Sequence, residues 1–149
     1  MEGTPNGRKV SIMLEELKVP YEVHPIDINK DEQFGADFLA LNPNNKIPVI
    51  LDTATTDGSP FVLCESGAIL IYLARKFCSG LLPVDERAQL TVLQWLMFQM
   101  GGIGPMFGQL HRFRCYASGE EYSLRRYQKG SEPKTGTSSL SRGRRLQHR

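Results

Sequence analysis

The sequence of 149 residues contains no apolar run approaching the about 20 residues that a bilayer-spanning helix requires. Its opening, Met1 to Lys9, has no apolar core of the kind a secretory signal needs. Cysteine is scarce: Cys64, Cys78 and Cys115 form no CxxC pair. An odd count without regular spacing excludes a disulfide-stapled scaffold and points to a reducing compartment, so a cytoplasmic protein is expected. Histidine is scarcer in effect, because His24, His111 and His148 are far apart and no His/Cys/Asp group has metal-ligand spacing. No metal is expected. Glycine-rich phosphate cradles are also missing, with neither GxGxxG after a strand nor GxxxxGK[ST]. The run Gly101-Gly102-Ile103-Gly104-Pro105 fits neither pattern and reads as a kink or break in a helix.

A one-sided charge is lacking only on average. The chain carries a formal +2 and is 40% hydrophobic, which suits one medium domain or a small domain plus part of another. Residues 1–124 hold 10 Lys+Arg against 15 Asp+Glu, a net of −5. Residues 125–149 hold 8 against 1, a net of +7. From Lys129 onward the chain is polar, basic and nearly free of apolar residues, so a disordered tail over 129–149 is expected. Arg142, Arg144 and Arg145 have no aromatic residue between them to stack on a base, which favours a solvated tail over a nucleic-acid arm.

Hydrophobic spacing predicts the elements. Val10, Met13, Leu14 and Leu17 follow helical spacing over residues 8–18. Residues 21–28 read as a strand, and 31–41 as a short helix carrying Phe34, Phe38 and Leu41. Residues 48–52 and 60–64 read as two strands joined by a loop with Asp57-Gly58. Ser66 is suited to N-cap a helix over 66–77 with Ile69, Leu70, Leu73 and Phe77 on its apolar face. Asp85 is placed to cap a longer helix reaching about Met100, and a further helix is expected over 120–128. The order predicts an α/β unit followed by an all-helical one.

Three segments carry chemistry. Thr4-Pro5-Asn6-Gly7 opens a helix, where unpaired N–H groups and the positive dipole end favour an anion such as a thiolate. Asn44-Asn45-Lys46-Ile47-Pro48 enters a strand, where Ile47 can offer its backbone to an extended peptide. Glu65-Ser66-Gly67-Ala68-Ile69 enters the next helix, where Ser66 suits a carboxylate and Glu65 an ammonium. Singly, each segment is also an ordinary turn, loop or cap. Cys64 reads as strand-end packing.

In order and spacing, these three segments resemble the cytosolic glutathione transferase family. The similarity is to the branch holding the Thr-Pro-Asn disulfide-bond reductases and the fungal nitrogen-regulatory prion protein. Gln33-Phe34, Leu93-Gln94-Trp95-Leu96 and Gly101-Gly102-x-Gly104-Pro105-Met106 fit the same pattern, which spans about residues 3–128. The resemblance implies a thioredoxin-like glutathione-binding domain at 1–80 and an all-α C-terminal domain at 84–128. It implies Thr4 and Asn6 beside the glutathione sulfur as the catalytic pair. Gln33 and Lys46 would lie near the glycyl end, and Ile47 would pair its backbone with the cysteinyl unit before a cis Pro48. Glu65 and Ser66 would hold the γ-glutamyl group, and Arg126 would come from the helical domain. Glutathione is the implied co-substrate, with a small electrophile or a disulfide as its partner.

A homodimer is the implied assembly, with neither nucleic acid nor membrane as a partner. The family carries a strand directly before Thr-Pro-Asn, and only Met1-Glu2-Gly3 precede it here, so the expected thioredoxin-like unit has its first strand absent. The helical domain is likewise expected to be truncated after about residue 128. The expected function is glutathione-dependent transfer or disulfide reduction. The alternatives are a non-catalytic binding or regulatory module of the same fold, or a non-functional fragment.

Overall fold

The computed structural model describes residues 4–115 and 119–131. The expected basic tail and its arginines fall outside these residues, apart from Lys129 to Ser131, which continue the last helix. The chain divides into two compact units, 1–96 and 97–149.

In the first unit, helix α1 (Pro5–Glu16) begins where its sequence says it can. Thr4 is the N-cap, with extended backbone, and Pro5 takes the first helical position, where a missing N–H costs nothing. Val10 and Met13 are buried on the inner face, with Leu14 and Leu17 packed beside them. Two short 3-10 turns (Ile28–Lys30 and Glu32–Phe34) lead to α2 (Ala36–Leu41), so the helix expected over 31–41 is interrupted at Gly35. Gly35 has extended backbone (φ −63°, ψ 145°), which no helix can continue through.

Strands β1 (Val49–Asp52) and β2 (Phe61–Cys64) pair antiparallel, with Val49 opposite Cys64 and Asp52 opposite Phe61. Helix α3 (Ser66–Lys76) follows at once. Its Ile69, Leu73 and Ala74 join Val10 and Met13 in one buried cluster, against which Ile50 and Leu63 of the hairpin also pack. Complete burial of a side chain such as Ile69 contributes about 1.5–3 kcal/mol, so this α1–α3–hairpin contact dominates the unit.

Over its ten-residue advance α3 rises about 15 Å, enough to run back along the hairpin. The Tyr72 hydroxyl donates to Asp52 Oδ2 (2.5 Å), the Lys76 ammonium pairs with the same oxygen, and Lys76 Nζ also donates to the Ala54 carbonyl (2.7 Å). Phe61 packs on Tyr72 with ring centroids 5.3 Å apart. The hairpin is thereby tied to α3 at the end far from Glu65.

Three expectations are corrected. Residues 21–28 are not a strand: they have no ladder partner among the described residues. Tyr21 and Val23 are exposed, so neither burial nor pairing rewards the alternation there. Ser66 is the first helical residue rather than the cap; Glu65 holds the cap position without a side-chain capping bond. Phe77 lies just past the end of α3 and is exposed.

Helix α4 (Glu86–Phe98) is capped by Asp85, whose carboxylate accepts the Ala88 N–H (2.9 Å). In the second unit a π-helical turn (Gln99–Ile103) leads into α5 (Gly104–Cys115). The glycine run therefore forms a π-helical turn, an irregularity of the kind at which helices kink, with helical backbone on either side of it. α5 packs on α6 (Glu121–Ser131), with Phe113 stacked on Tyr127 at 5.5 Å. At Gly130 a Cβ would lie 2.9 Å from Met106 Sδ, so the two helices approach closely there.

Candidate functional site

The hairpin register decides which predicted residues meet. Val49 faces Cys64, so the residues just before β1 and just after β2 stand at the same end of the hairpin. Those residues are Ile47-Pro48 and Glu65-Ser66. The Ile47–Pro48 bond is cis. Helix α1 packs on α3, with Val10 and Met13 in one buried cluster with Ile69, Leu73 and Ala74.

Thr4 Oγ1 accepts the Gly7 N–H (3.3 Å), which fixes the hydroxyl over the first turn of α1. A hydroxyl that accepts still has its own proton to donate. Asn6 is exposed on that same turn. With the positive end of the helix dipole, these donors form a setting for an anion.

Asn42 organises the next segment, a role that sequence reasoning missed. It is 1% exposed. Its Nδ2 donates to the Lys46 carbonyl (2.7 Å), its Oδ1 accepts the Asn44 N–H (3.0 Å), and its carbonyl accepts the Asn45 N–H (3.0 Å). One buried amide thus shapes the loop that delivers Lys46, Ile47 and Pro48. The available signal was an Asn-Pro step, which favours a side chain that bonds its own loop. Lys46 itself is exposed.

Glu65 has φ 69° and ψ 106°, a conformation costly for any residue with a side chain. Its carbonyl accepts the Ile69 N–H (2.9 Å), so the strained residue starts the helix. Ser66 is 4% exposed, and Gly67 is buried beside it. Lys9 is half-buried on α1, where burial pushes its ammonium pKa down and the Glu65 charge pulls it back up.

Gln33 lies in the second 3-10 turn, half-buried. Its Oε1 is buried and, among the described residues, has no hydrogen-bond partner. Arg126 is an exposed residue of α6 in the other unit. No group of His, Cys, Asp and Glu among the described residues could hold a metal, and no helix there is long and apolar enough to cross a membrane.

Residues 4–76 match the glutathione S-transferase N-terminal domain, and over these residues the chain belongs to that family, with its thioredoxin-like N-terminal domain followed by a helical one. Within the family it is similar to Disulfide-bond oxidoreductase YfcG of Escherichia coli (strain K12). The two are 47% identical over 128 residues, covering 84% of this chain and 59% of the relative. A glutathione transferase family member from Pseudomonas fluorescens pf-5, crystallised with two glutathione bound, is 50% identical with a TM-score of 0.82. The match covers 86% of this chain and 57% of that one. Ure2p in complex with glutathione is 34% identical with a TM-score of 0.78, covering 87% and 55%. The chain therefore spans a little over half the length of these proteins.

Proposed function

We propose that this chain binds glutathione at the end of the hairpin and uses the ligand's thiolate to reduce disulfides. Thr4 and Asn6 hold the sulfur at the N-terminus of α1, where the dipole and the donors favour the thiolate over the thiol. Ile47 offers its backbone to the cysteinyl unit. Glu65 and Ser66 take the ammonium and carboxylate of the γ-glutamyl group. Gln33 and Lys46 serve the glycyl end. The supporting observation is the register of the hairpin, which brings Ile47-Pro48 and Glu65-Ser66 to one end of it, while α1 packs on α3. The orphaned Gln33 Oε1 fits a site that a polar ligand completes.

The chemistry needs two thiols. The first glutathione thiolate attacks one sulfur of the substrate disulfide, forming a mixed disulfide and expelling a thiolate that takes up a proton. A second glutathione thiolate attacks the glutathione sulfur of the mixed disulfide, releasing the other substrate thiol and forming glutathione disulfide. Two electrons pass to the substrate, and no protein cysteine is oxidised. The pairing of a disulfide-bond oxidoreductase among the relatives with a related transferase that holds two glutathione supports this order of events.

Conjugation of small electrophiles is the weaker activity of the same site, because no Tyr, Ser or Cys stands where Thr4 and Asn6 do. We assign the thioredoxin-like domain to 1–80, the helical domain to 84–128, a homodimer as the assembly and the cytoplasm as the compartment. The test is consumption of glutathione with a small dialkyl disulfide, read as glutathione disulfide formed. Turnover that falls on Asn6→Ala is expected; absence of glutathione disulfide above the uncatalysed rate overturns the proposal.

A further inference from the structure

Asn6 is followed by Gly7, whereas none of the other asparagines, Asn29, Asn42, Asn44 and Asn45, precedes a glycine. An Asn-Gly step is chemically labile in itself. The glycine nitrogen can attack the side-chain amide carbon of the asparagine, and glycine has no Cβ to hinder that approach. Helical backbone opposes the attack, because it holds the nitrogen away from that carbon. Here the step stands where this protection is thinnest. Both residues lie in the first turn of α1, and Asn6 is exposed. The first four N–H groups of a helix have no carbonyl partner one turn back. Arg8 has the first N–H of α1 that does, donated to the Thr4 carbonyl (2.9 Å). The bond that holds the Gly7 N–H is instead the one to Thr4 Oγ1, at 3.3 Å. One side-chain cap therefore restrains the attacking nitrogen.

We propose that Asn6 is a deamidation site whose rate the Thr4 cap controls, and that its modification closes the anion setting of α1. When the end of the helix opens, as helix ends do most readily, the Gly7 N–H leaves Thr4. The Gly7 nitrogen then attacks the Asn6 amide carbon. The new nitrogen–carbon bond closes a succinimide ring, and the side-chain amide nitrogen leaves as ammonia with the proton that Gly7 gives up. Water opens the ring at either carbonyl, leaving aspartate or isoaspartate at position 6. Nothing is oxidised or reduced, and a neutral amide becomes a carboxylate. A negative charge is thereby fixed at the positive end of α1. The closing of the site rests on the glutathione reading, which gives that place to the ligand's thiolate; the new carboxylate takes up the donors there and repels a second anion. The deamidation itself needs no ligand.

Peptide mapping by mass spectrometry of the whole chain, aged in warm neutral buffer, tests the step, with Asn44 and Asn45 as internal references. Thr4→Ala removes the cap and should speed deamidation of Asn6 about five-fold while leaving the references alone. Thr4→Ser keeps the hydroxyl and should stay within about two-fold of wild type. Adding Gly7→Ala, whose Cβ would meet Thr4 Oγ1 of the wild-type chain at an ordinary 3.4 Å, should cancel the gain. An Asn6 rate unchanged by Thr4→Ala overturns the proposal. Equal acceleration of Asn6, Asn44 and Asn45 assigns the change to general unfolding and overturns it too. Calorimetric titration with glutathione reads the consequence. The deamidated fraction, separated by its added negative charge, should bind about ten-fold more weakly than fresh chain. Equal binding would overturn the closing of the site. A fresh chain that does not bind glutathione overturns the glutathione reading, and with it the closing of the site, while the mass spectrum still decides the deamidation.

Discussion

Thr4 and Glu65 carry opposite lessons at the scale of single residues. Thr4 is both a helix cap and a candidate thiol partner. Thr4→Ala removes the acceptor of the Gly7 N–H and should cost about 1 kcal/mol of stability in urea unfolding, together with most of the disulfide-reducing turnover. Thr4→Ser keeps the hydroxyl and should restore both.

Glu65 instead sits in strained backbone. Glu65→Gly relieves that strain and should raise stability by roughly 1 kcal/mol while weakening glutathione binding, because the proposed ammonium acceptor is gone. A variant that gains stability and loses affinity would mark strain held at a functional position. The placement of Thr4 and Asn6 at a helix start, Lys46 in a loop and Glu65-Ser66 at the next helix start was legible in the sequence, because helix openings and loops have recognisable residues. The positive φ of Glu65 was not, since a glutamate gives no hint of a left-handed backbone. Asn42 was passed over because a buried amide looks like any loop asparagine until its three bonds are seen.

Elements are held by a few side chains. Asn42→Ala should unravel the loop before β1, costing about 2–3 kcal/mol for the unpaired backbone groups and weakening glutathione binding as Lys46 and Ile47 lose their placement.

At the other end of the hairpin, Asp52 joins β1 to α3. The hydrogen bonds from Lys76 and Tyr72 hold its carboxyl below the ordinary aspartate range, and the Asp52 carboxylate holds the Lys76 ammonium above the ordinary lysine range. Asp52 therefore binds protons less readily folded than unfolded. Its contribution is present above the unfolded aspartate pKa of about 3.9 and is lost as pH falls through the lower folded value. Lys76 binds its proton more tightly when folded. Its contribution is whole below the unfolded lysine pKa of about 10.4 and fades as pH rises through the higher folded value. Thermal midpoints measured from pH 2 to 7 should fall less steeply at the acid end in Asp52→Asn than in wild type. At neutral pH that variant should be less stable by about 1 kcal/mol, a figure kept small because the cluster touches water.

Periodicity made α1, α3 and the hairpin legible, because each has a face that is buried in fact. Val10, Met13, Ile69 and Leu73 all fill the expected positions. The strand read over 21–28 failed because alternation describes only what a segment could bury. Without a ladder partner among the described residues, Val23 stays two-thirds exposed. The glycine run at 99–103 was legible as an irregularity in a helix, and its π-helical form was not, because glycine weakens regular helix without selecting the hydrogen-bond pattern that replaces it.

At the scale of the whole molecule, the two units differ in character. The first unit has a buried core and the gathered loop ends; in the second, α5 and α6 have no residue that is completely buried. The central claim concerns the first unit: the opening turn of α1 holds the thiolate of bound glutathione. Ultraviolet thiolate absorbance of the saturated complex, followed against pH, tests it most directly. Bound glutathione should ionise well below the ordinary thiol value near 8.5 and return toward it in Asn6→Ala. A bound thiol that ionises at or above that value in the wild-type complex would contradict the account.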